Sequence, residues 1–191
     1  MKALEEKICQ EGQVLPGNIL KVGSFLNQQI DTAFLREIGR EIARLYRDAD
    51  VTRILTMESS GIAVATAAAM EMGVPFVFAK KHPAINQSGS LLSARVHSYT
   101  HGNDYFATVA AEYLPAGERV LIVDDFLANG EALNGMLALL EQAGCGIAGV
   151  AVVIEKQYQG GGDKVRARGI RVESLARIVS MSETAGIRFA D

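Results

Sequence analysis

Two apolar runs in the second half of the chain constrain the fold most. Val120–Val123 (VLIV) and Ile147–Ile154 (IAGVAVVI) are nearly continuous in aliphatic residues. That is the pattern of strands covered on both faces of a parallel sheet. Between them, residues 131–143 read as a helix stopped by Gly144, and parallel strands need a connection of that length. A similar unit lies earlier: strand Val51–Met57, a helix of small residues over Ile62–Met72 ended by Gly73, and strand Val74–Ala79. The expected fold class is therefore α/β, a parallel sheet core flanked by helices on both faces.

The remaining segments are placed around that core. Leu4 and Ile8 sit one helical turn apart in a short helix from Met1 to about Gln10, ended by Gly12. Residues 13–30 read as irregular, with Pro16, Gly17 and Gly23 around a weak strand at Ile19–Val22. Asp31 is positioned to cap a helix running to about Arg47, with Phe34, Leu35, Ile38, Ile42, Leu45 and Tyr46 on one stripe. Residues 80–104 are polar and lack a helical stripe. A hairpin is expected from about Ala94–Tyr99 and Tyr105–Ala111, turning at His101–Asp104. Gly160–Gly162 reads as a flexible loop, Arg171–Ile178 as a last strand, and 180–191 as a tail. No repeat or linker divides the chain, so residues 1–191 read as one domain.

Composition excludes several classes. Nineteen Lys+Arg against 22 Asp+Glu give a net charge of −3, which argues against a broad basic face for nucleic acid. No apolar run approaches the ~18–20 residues of a membrane span. Glu5 and Glu6 stand where an export signal needs apolar residues. Cys9 and Cys145 make no disulfide framework and read as packing residues, so a cytoplasmic location is expected. Gly144–Gly149 is a literal G-x-G-x-x-G, but it leaves a helix and enters a strand, the reverse of the dinucleotide-binding context. His82, His97 and His101 lack metal-ligand spacing.

The chemistry concentrates in residues 120–132, VLIVDDFLANGEA. Asp124 and Asp125 end a buried strand, and a short loop through Gly130 enters a helix. Ligands of open α/β sheets bind beyond the carboxyl ends of the strands. A loop entering a helix there presents unpaired N–H groups suited to a phosphate. The carboxylates suit the vicinal hydroxyls of a ribose or a magnesium ion. On this pattern alone, a phosphosugar site and a solvated acidic turn fit equally well.

The same stretch resembles the phosphoribosyl diphosphate (PRPP) signature of type I phosphoribosyltransferases. The resemblance implies Asp124 and Asp125 as the catalytic pair on the ribose hydroxyls, and Ala128, Asn129, Gly130, Glu131 and Ala132 around the 5′-phosphate. Asn129 and Ala132 stand where the family commonly has Thr, which shifts the work to backbone amides. Ala128 stands where some purine enzymes carry an aspartate base. Glu58, Ser59, Ser60 and Gly61 resemble the family's diphosphate loop. Lys81, with Lys80 before it, matches a basic position facing the diphosphate, and residues 83–104 take the place of the family's active-site loop. LEEKI, LKVGSFLNQQID and VVIEKQYQGGG extend the likeness to the xanthine-using branch of bacterial purine salvage.

That branch implies a small N-terminal hood, mainly from about 1–30, holding xanthine through Leu20 and Asn27, with Lys156 as a further contact. Without the resemblance, Lys156 reads more simply as a solvated lysine, Asn27 as a turn or capping residue, and Leu20 as core. Glu155 reads as a loop or supporting charge. The implied reaction transfers phosphoribose from PRPP to xanthine, with Mg2+ carried by PRPP, in a homodimer. The alternatives are a transferase for another base, such as guanine or hypoxanthine, and a PRPP-binding purine regulator.

Overall fold

In the computed structural model, residues 1–81, 90–98 and 103–190 are described. Helix α1 (Lys2–Glu11) leads into a small antiparallel hairpin, β1 (Gln13–Leu15) and β2 (Ile19–Lys21), and then a π-helical turn at Gly23–Asn27. Helix α2 (Thr32–Leu45) follows. The core then runs β3 (Arg53–Met57), α3 (Gly61–Met72), β4 (Phe76–Ala79), a hairpin β5 (Leu91–Ser98) and β6 (Asn103–Ala110), β7 (Arg119–Leu127), α4 (Glu131–Ala143) and β8 (Gly146–Lys156). It closes with α5 (Gly161–Arg166), β9 (Val172–Ser182) and β10 (Gly186–Phe189).

Six strands form the central sheet in the order β10-β9-β8-β7-β3-β4. All neighbours in it are parallel except the β10–β9 edge pair. The two apolar runs are the adjacent central strands β7 and β8, and their side chains divide by alternation. Leu121, Val123, Ala151 and Val153 join a core with α2, α3 and the N-terminal segment. Val120, Ile122, Val150 and Val152 join a second core under α4 and the β5–β6 hairpin. Burial on both faces explains why neither run shows a polar alternation.

The caps behave as the sequence indicates. The Asp31 carboxylate accepts from the Phe34 amide at 3.1 Å. Gly73 and Gly144 end α3 and α4 in the left-handed conformation.

Four expectations are corrected. The 13–30 segment contains a hairpin and a π turn, and its strand β2 stops at Lys21. The chain after Gly160 is the short helix α5, because Gly161 and Gly162 are packed tightly against their neighbours. The 180–191 tail is largely strand: β9 continues to Ser182 and β10 returns along it, placing Ile187 and Phe189 on the core. Cys9 is exposed, since it lies off the Leu4–Ile8 stripe, whereas Cys145 is half-buried and packs against the second core. The β5–β6 hairpin is present and starts earlier, at Leu91. Of the expected turn, His101 and Gly102 lie outside the described residues, as do His82 and much of 83–104, while Asn103 and Asp104 are already strand residues of β6, paired with Ser98 and His97.

Candidate active site

The C-terminal ends of β3 and β7 meet the starts of two helices. Strand β7 continues through the acid pair to Leu127, so the acids are strand residues and the loop is short. Consecutive strand residues ordinarily point to opposite faces. Here the alternation reverses just past the pair, with Phe126 packed on the first core and Leu127 on the second. Both Asp124 and Asp125 line one cavity of about 660 Å³.

Asp125 is 4% exposed. Its Oδ1 accepts from Ser60 Oγ at 2.9 Å and its Oδ2 from Asn27 Nδ2 at 3.3 Å. Its own amide donates to Asp124 Oδ1 at 2.9 Å. Burial, reinforced by the charge of Asp125, pushes the Asp124 pKa well above the ordinary carboxylate value, and Lys81 offsets this only in part. Asp124 keeps some surface exposure at the cavity, but protein atoms crowd its carboxyl, and that crowding governs its proton. Among the described residues neither carboxylate forms an ion pair.

Two helices begin at this cavity. Helix α3 starts at Gly61, with Glu58 and Ser60 lining the cavity before it. A Cβ on Gly61 would lie 2.2 Å from Thr56 Oγ1 and 2.6 Å from Asp124 Oδ1. Only glycine lets the helix start this close to the acid. The Glu58–Ser59 peptide is cis, and Glu58 Oε1 accepts from the Lys81 amide at 2.7 Å, tying the loop to the end of β4. Helix α4 starts after Gly130, whose φ of 90° suits glycine. All of 128–132 line the cavity. The first turn of a helix leaves most of its N–H groups without intrahelical partners and carries the positive end of the dipole, so two helix starts beside one cavity make a setting for two anionic groups.

Of the residues singled out in the sequence, Asp124, Asp125, Ala128, Asn129, Gly130, Glu131, Ala132, Glu58, Ser60 and Lys81 line the cavity, while Ser59 and Gly61 adjoin it. Lys81 Nζ also lies 5.8 Å from the Tyr105 ring. Leu20, Asn27 and Lys156 stand outside the cavity lining. Leu20 is in the core at 6% exposure. Asn27 reaches the site through Asp125. Lys156 Nζ lies 5.8 Å from the ring of cavity-lining Phe126 and donates to the Asn18 carbonyl at 2.7 Å, holding the tip of the β1–β2 hairpin. Burial lowers its pKa.

Several groups have no sequence signal. Tyr105, His97 and Asp104 reach the cavity from the hairpin. Asp104 is hydrogen-bonded to His97 Nδ1 at 2.7 Å and paired with Arg95, and these two partners lower its pKa. Glu155 belongs to β8, correcting the loop reading. It is 1% exposed and takes both guanidinium nitrogens of Arg166, at 2.8 and 2.7 Å, with Ser174 Oγ at 2.5 Å. Burial opposes its ionisation, but these donors prevail and its pKa is lowered.

Comparison with known proteins decides what this geometry belongs to. Residues 27–175 match the model of the phosphoribosyl transferase domain. The chain belongs to the phosphoribosyltransferase family. As a phosphoribosyltransferase it is 48% identical over 185 residues to xanthine phosphoribosyltransferase of Bacillus cereus (strain AH187), covering 97% of this chain and 94% of the relative. It is also 48% identical to the protein of that name in Bacillus thuringiensis (strain Al Hakam), over 95% of this chain and 92% of the relative. Among solved structures, adenine phosphoribosyltransferase of Trypanosoma brucei superposes with a TM-score of 0.75 at 19% identity, covering 91% of this chain and 79% of that one. The enzyme of Rhodothermus marinus gives 0.73 at 20% identity, covering 93% of this chain and 99% of that one. At such identities these structures establish the type I phosphoribosyltransferase fold, a mainly parallel sheet flanked by helices.

Proposed function

We propose that this phosphoribosyltransferase moves the 5-phosphoribosyl group of PRPP to N9 of xanthine, forming XMP and pyrophosphate. The observation that carries the reading is the acid pair Asp124–Asp125, set between the starts of α3 and α4. The assignment of xanthine is supported by the near-full-length likeness to the Bacillus enzymes.

In this reading the two carboxylates accept hydrogen bonds from the ribose 2′ and 3′ hydroxyls. The 128–132 backbone holds the 5′-phosphate. Lys81 and the amides of 58–61 face the diphosphate. As the C1–O bond breaks, its electron pair leaves with pyrophosphate and positive charge develops at C1. Fixed amide dipoles stabilise the anion and the carboxylates stabilise the sugar cation. N9 then bonds to C1. The carbonyl oxygens of the base would meet Lys156 Nζ, and Asn27 can donate and accept. Ala128 offers no carboxylate base, so we assign the attacking species as xanthine already deprotonated.

Among the described residues no cluster of three or more His, Cys, Asp or Glu forms a metal cage. Asp124 and Asp125, which both line the cavity, are hard oxygen groups able to face Mg2+ brought in by PRPP. Such an ion would neutralise diphosphate charge.

We further propose a homodimer in the cytoplasm. Support comes from the family resemblance.

The test is pyrophosphate release from PRPP with xanthine, guanine, hypoxanthine, adenine and orotate in turn. Xanthine is expected to give the highest kcat/KM. No release with xanthine sinks the reading, and preference for another oxopurine reassigns the base.

A further inference from the structure

We infer, resting on the reading of 128–132 as the 5′-phosphate loop, that Gly161 and Arg166 are positioning residues for that loop. The start of α5 forms the floor on which the loop lies. The Gly161 amide donates to the Ala128 carbonyl at 3.1 Å. A Cβ on Gly161 would lie 2.3 Å from that oxygen and 2.7 Å from both Asn129 C and Gly130 N. These are backbone atoms, so no side chain can swing away to make room. From the other side, a Cβ on Gly130 would be 3.3 Å from Gly161 Cα. The two backbones are in direct contact.

The floor is anchored. A Cβ on Gly162 would lie 1.9 Å from Glu155 Oε1 and 2.7 Å from Arg166 Nη1. The guanidinium of Arg166, on α5, grips the buried Glu155 with two hydrogen bonds, and Ser174 of β9 holds the same carboxylate. Glu155 is in register with Leu127, the residue just before the loop. A closed circuit therefore runs from β9 through Glu155 and Arg166 to Gly161, and from there into Ala128. It presents the loop amides in fixed directions before any ligand arrives, and a phosphate gains most from donors that need no reorganisation. Glu155, Gly161, Arg166 and Ser174 themselves stand outside the cavity lining.

Gly161→Ala tests this by a split in kinetic constants. The expected result is a KM for PRPP raised about tenfold or more, with kcat and the KM for xanthine within about threefold of wild type. Ribose 5-phosphate, titrated calorimetrically, reads the loop without any base, and its affinity should fall in parallel. Unchanged PRPP KM and ribose 5-phosphate affinity in folded Gly161→Ala overturn the inference.

If that variant does not fold, Arg166→Lys carries the test through hydrogen exchange. The Gly161 amide, which donates to the Ala128 carbonyl, should lose protection while those of β3 and β4 keep it. Unchanged protection at Gly161, or equal loss throughout, overturns the inference. Wild-type protein that binds ribose 5-phosphate but releases no pyrophosphate with xanthine would remove the xanthine assignment and leave this inference standing. Wild-type protein that binds no ribose 5-phosphate would remove the phosphate-loop reading and this inference with it.

Discussion

Asn27 Nδ2 donates to Asp125 Oδ2 at 3.3 Å, joining the N-terminal segment to the acid pair across 98 positions of sequence. Asp125 is buried and has one other side-chain donor, Ser60. Removing a hydrogen bond to a charged group costs about 1.5–3 kcal/mol. Asn27→Ala is therefore expected to raise the KM for PRPP about tenfold, although Asn27 is assigned to the base. A double-mutant cycle with Asp125→Asn should show coupling above about 0.5 kcal/mol. Additive effects would show that the contact carries nothing.

Asp124 sets function against stability. Its native pKa is raised by burial and by Asp125, so the native state binds this proton more tightly than the unfolded chain does. The resulting stability is present at acid pH and is lost as pH rises from the ordinary carboxylate range through the raised native value. Asp124→Asn should melt higher than wild type at pH 8, by about 2–4 °C for each kcal/mol removed. It should also lose most of its turnover. A melting difference that does not grow between pH 5 and pH 8 contradicts the assignment.

Lys156 is half-buried beside Phe126 and holds the Asn18 carbonyl. Lys156→Met keeps much of the stem and removes the charge. The KM for xanthine is expected to rise tenfold to hundredfold, the scale of a lost charged hydrogen bond of about 1.5–3 kcal/mol. Affinity for PRPP alone, measured by calorimetry, should change far less. Equal losses for both substrates count against a base contact.

Buried Glu155 and half-buried Arg166 form an ion pair at the β8–α5 junction. Arg166→Met strands the carboxylate and should cost about 3–5 kcal/mol of unfolding free energy, whereas Arg166→Met with Glu155→Leu should recover much of it. Because the native pKa of Glu155 is lowered, its stabilising contribution is present above the ordinary glutamate value. It fades as pH falls through the native one. Denaturant titrations from pH 7 downward should show the double variant losing less stability than wild type in acid.

Ala128→Asp places a carboxylate at the start of the 128–132 loop, in the cavity lining. If xanthine enters as an anion, the added group should leave kcat no higher near pH 8. A strong rise at every pH would show that the protein lacked a base and needed one.

The parts of this fold that could be read from sequence carry a periodic or terminal signal. β7, α4 and β8 follow from two apolar runs and Gly144, and α2 from the Asp31 cap. Asp124, Asp125 and 128–132 were legible because they lie contiguously at a strand end. Glu155, Arg166 and Ser174 were not, since their meeting depends on how β8, α5 and β9 pack, and no spacing encodes that. Gly160–Gly162 suggests flexibility by composition, yet a crowded backbone contact selects Gly161. β10 was hidden because Ser180, Ser182, Glu183 and Thr184 precede it, while only Ile187 and Phe189 reach the core. The base contacts were placed by resemblance, and the structure shows Asn27 and Lys156 holding protein partners.

The N-terminal hairpin is built outside the parallel sheet, from strands of three residues each, and its tip is tied down by Lys156 at Asn18. On the proposed reading this hairpin carries the Leu20 contact to the base, while Asn27 still links the same segment to Asp125, so base choice is only partly separable from the sugar chemistry. Loop exchange over residues 13–22, with Asn27 kept, then offers a route to new nucleobase specificities in which Asp124, Asp125 and both helix starts are inherited unchanged.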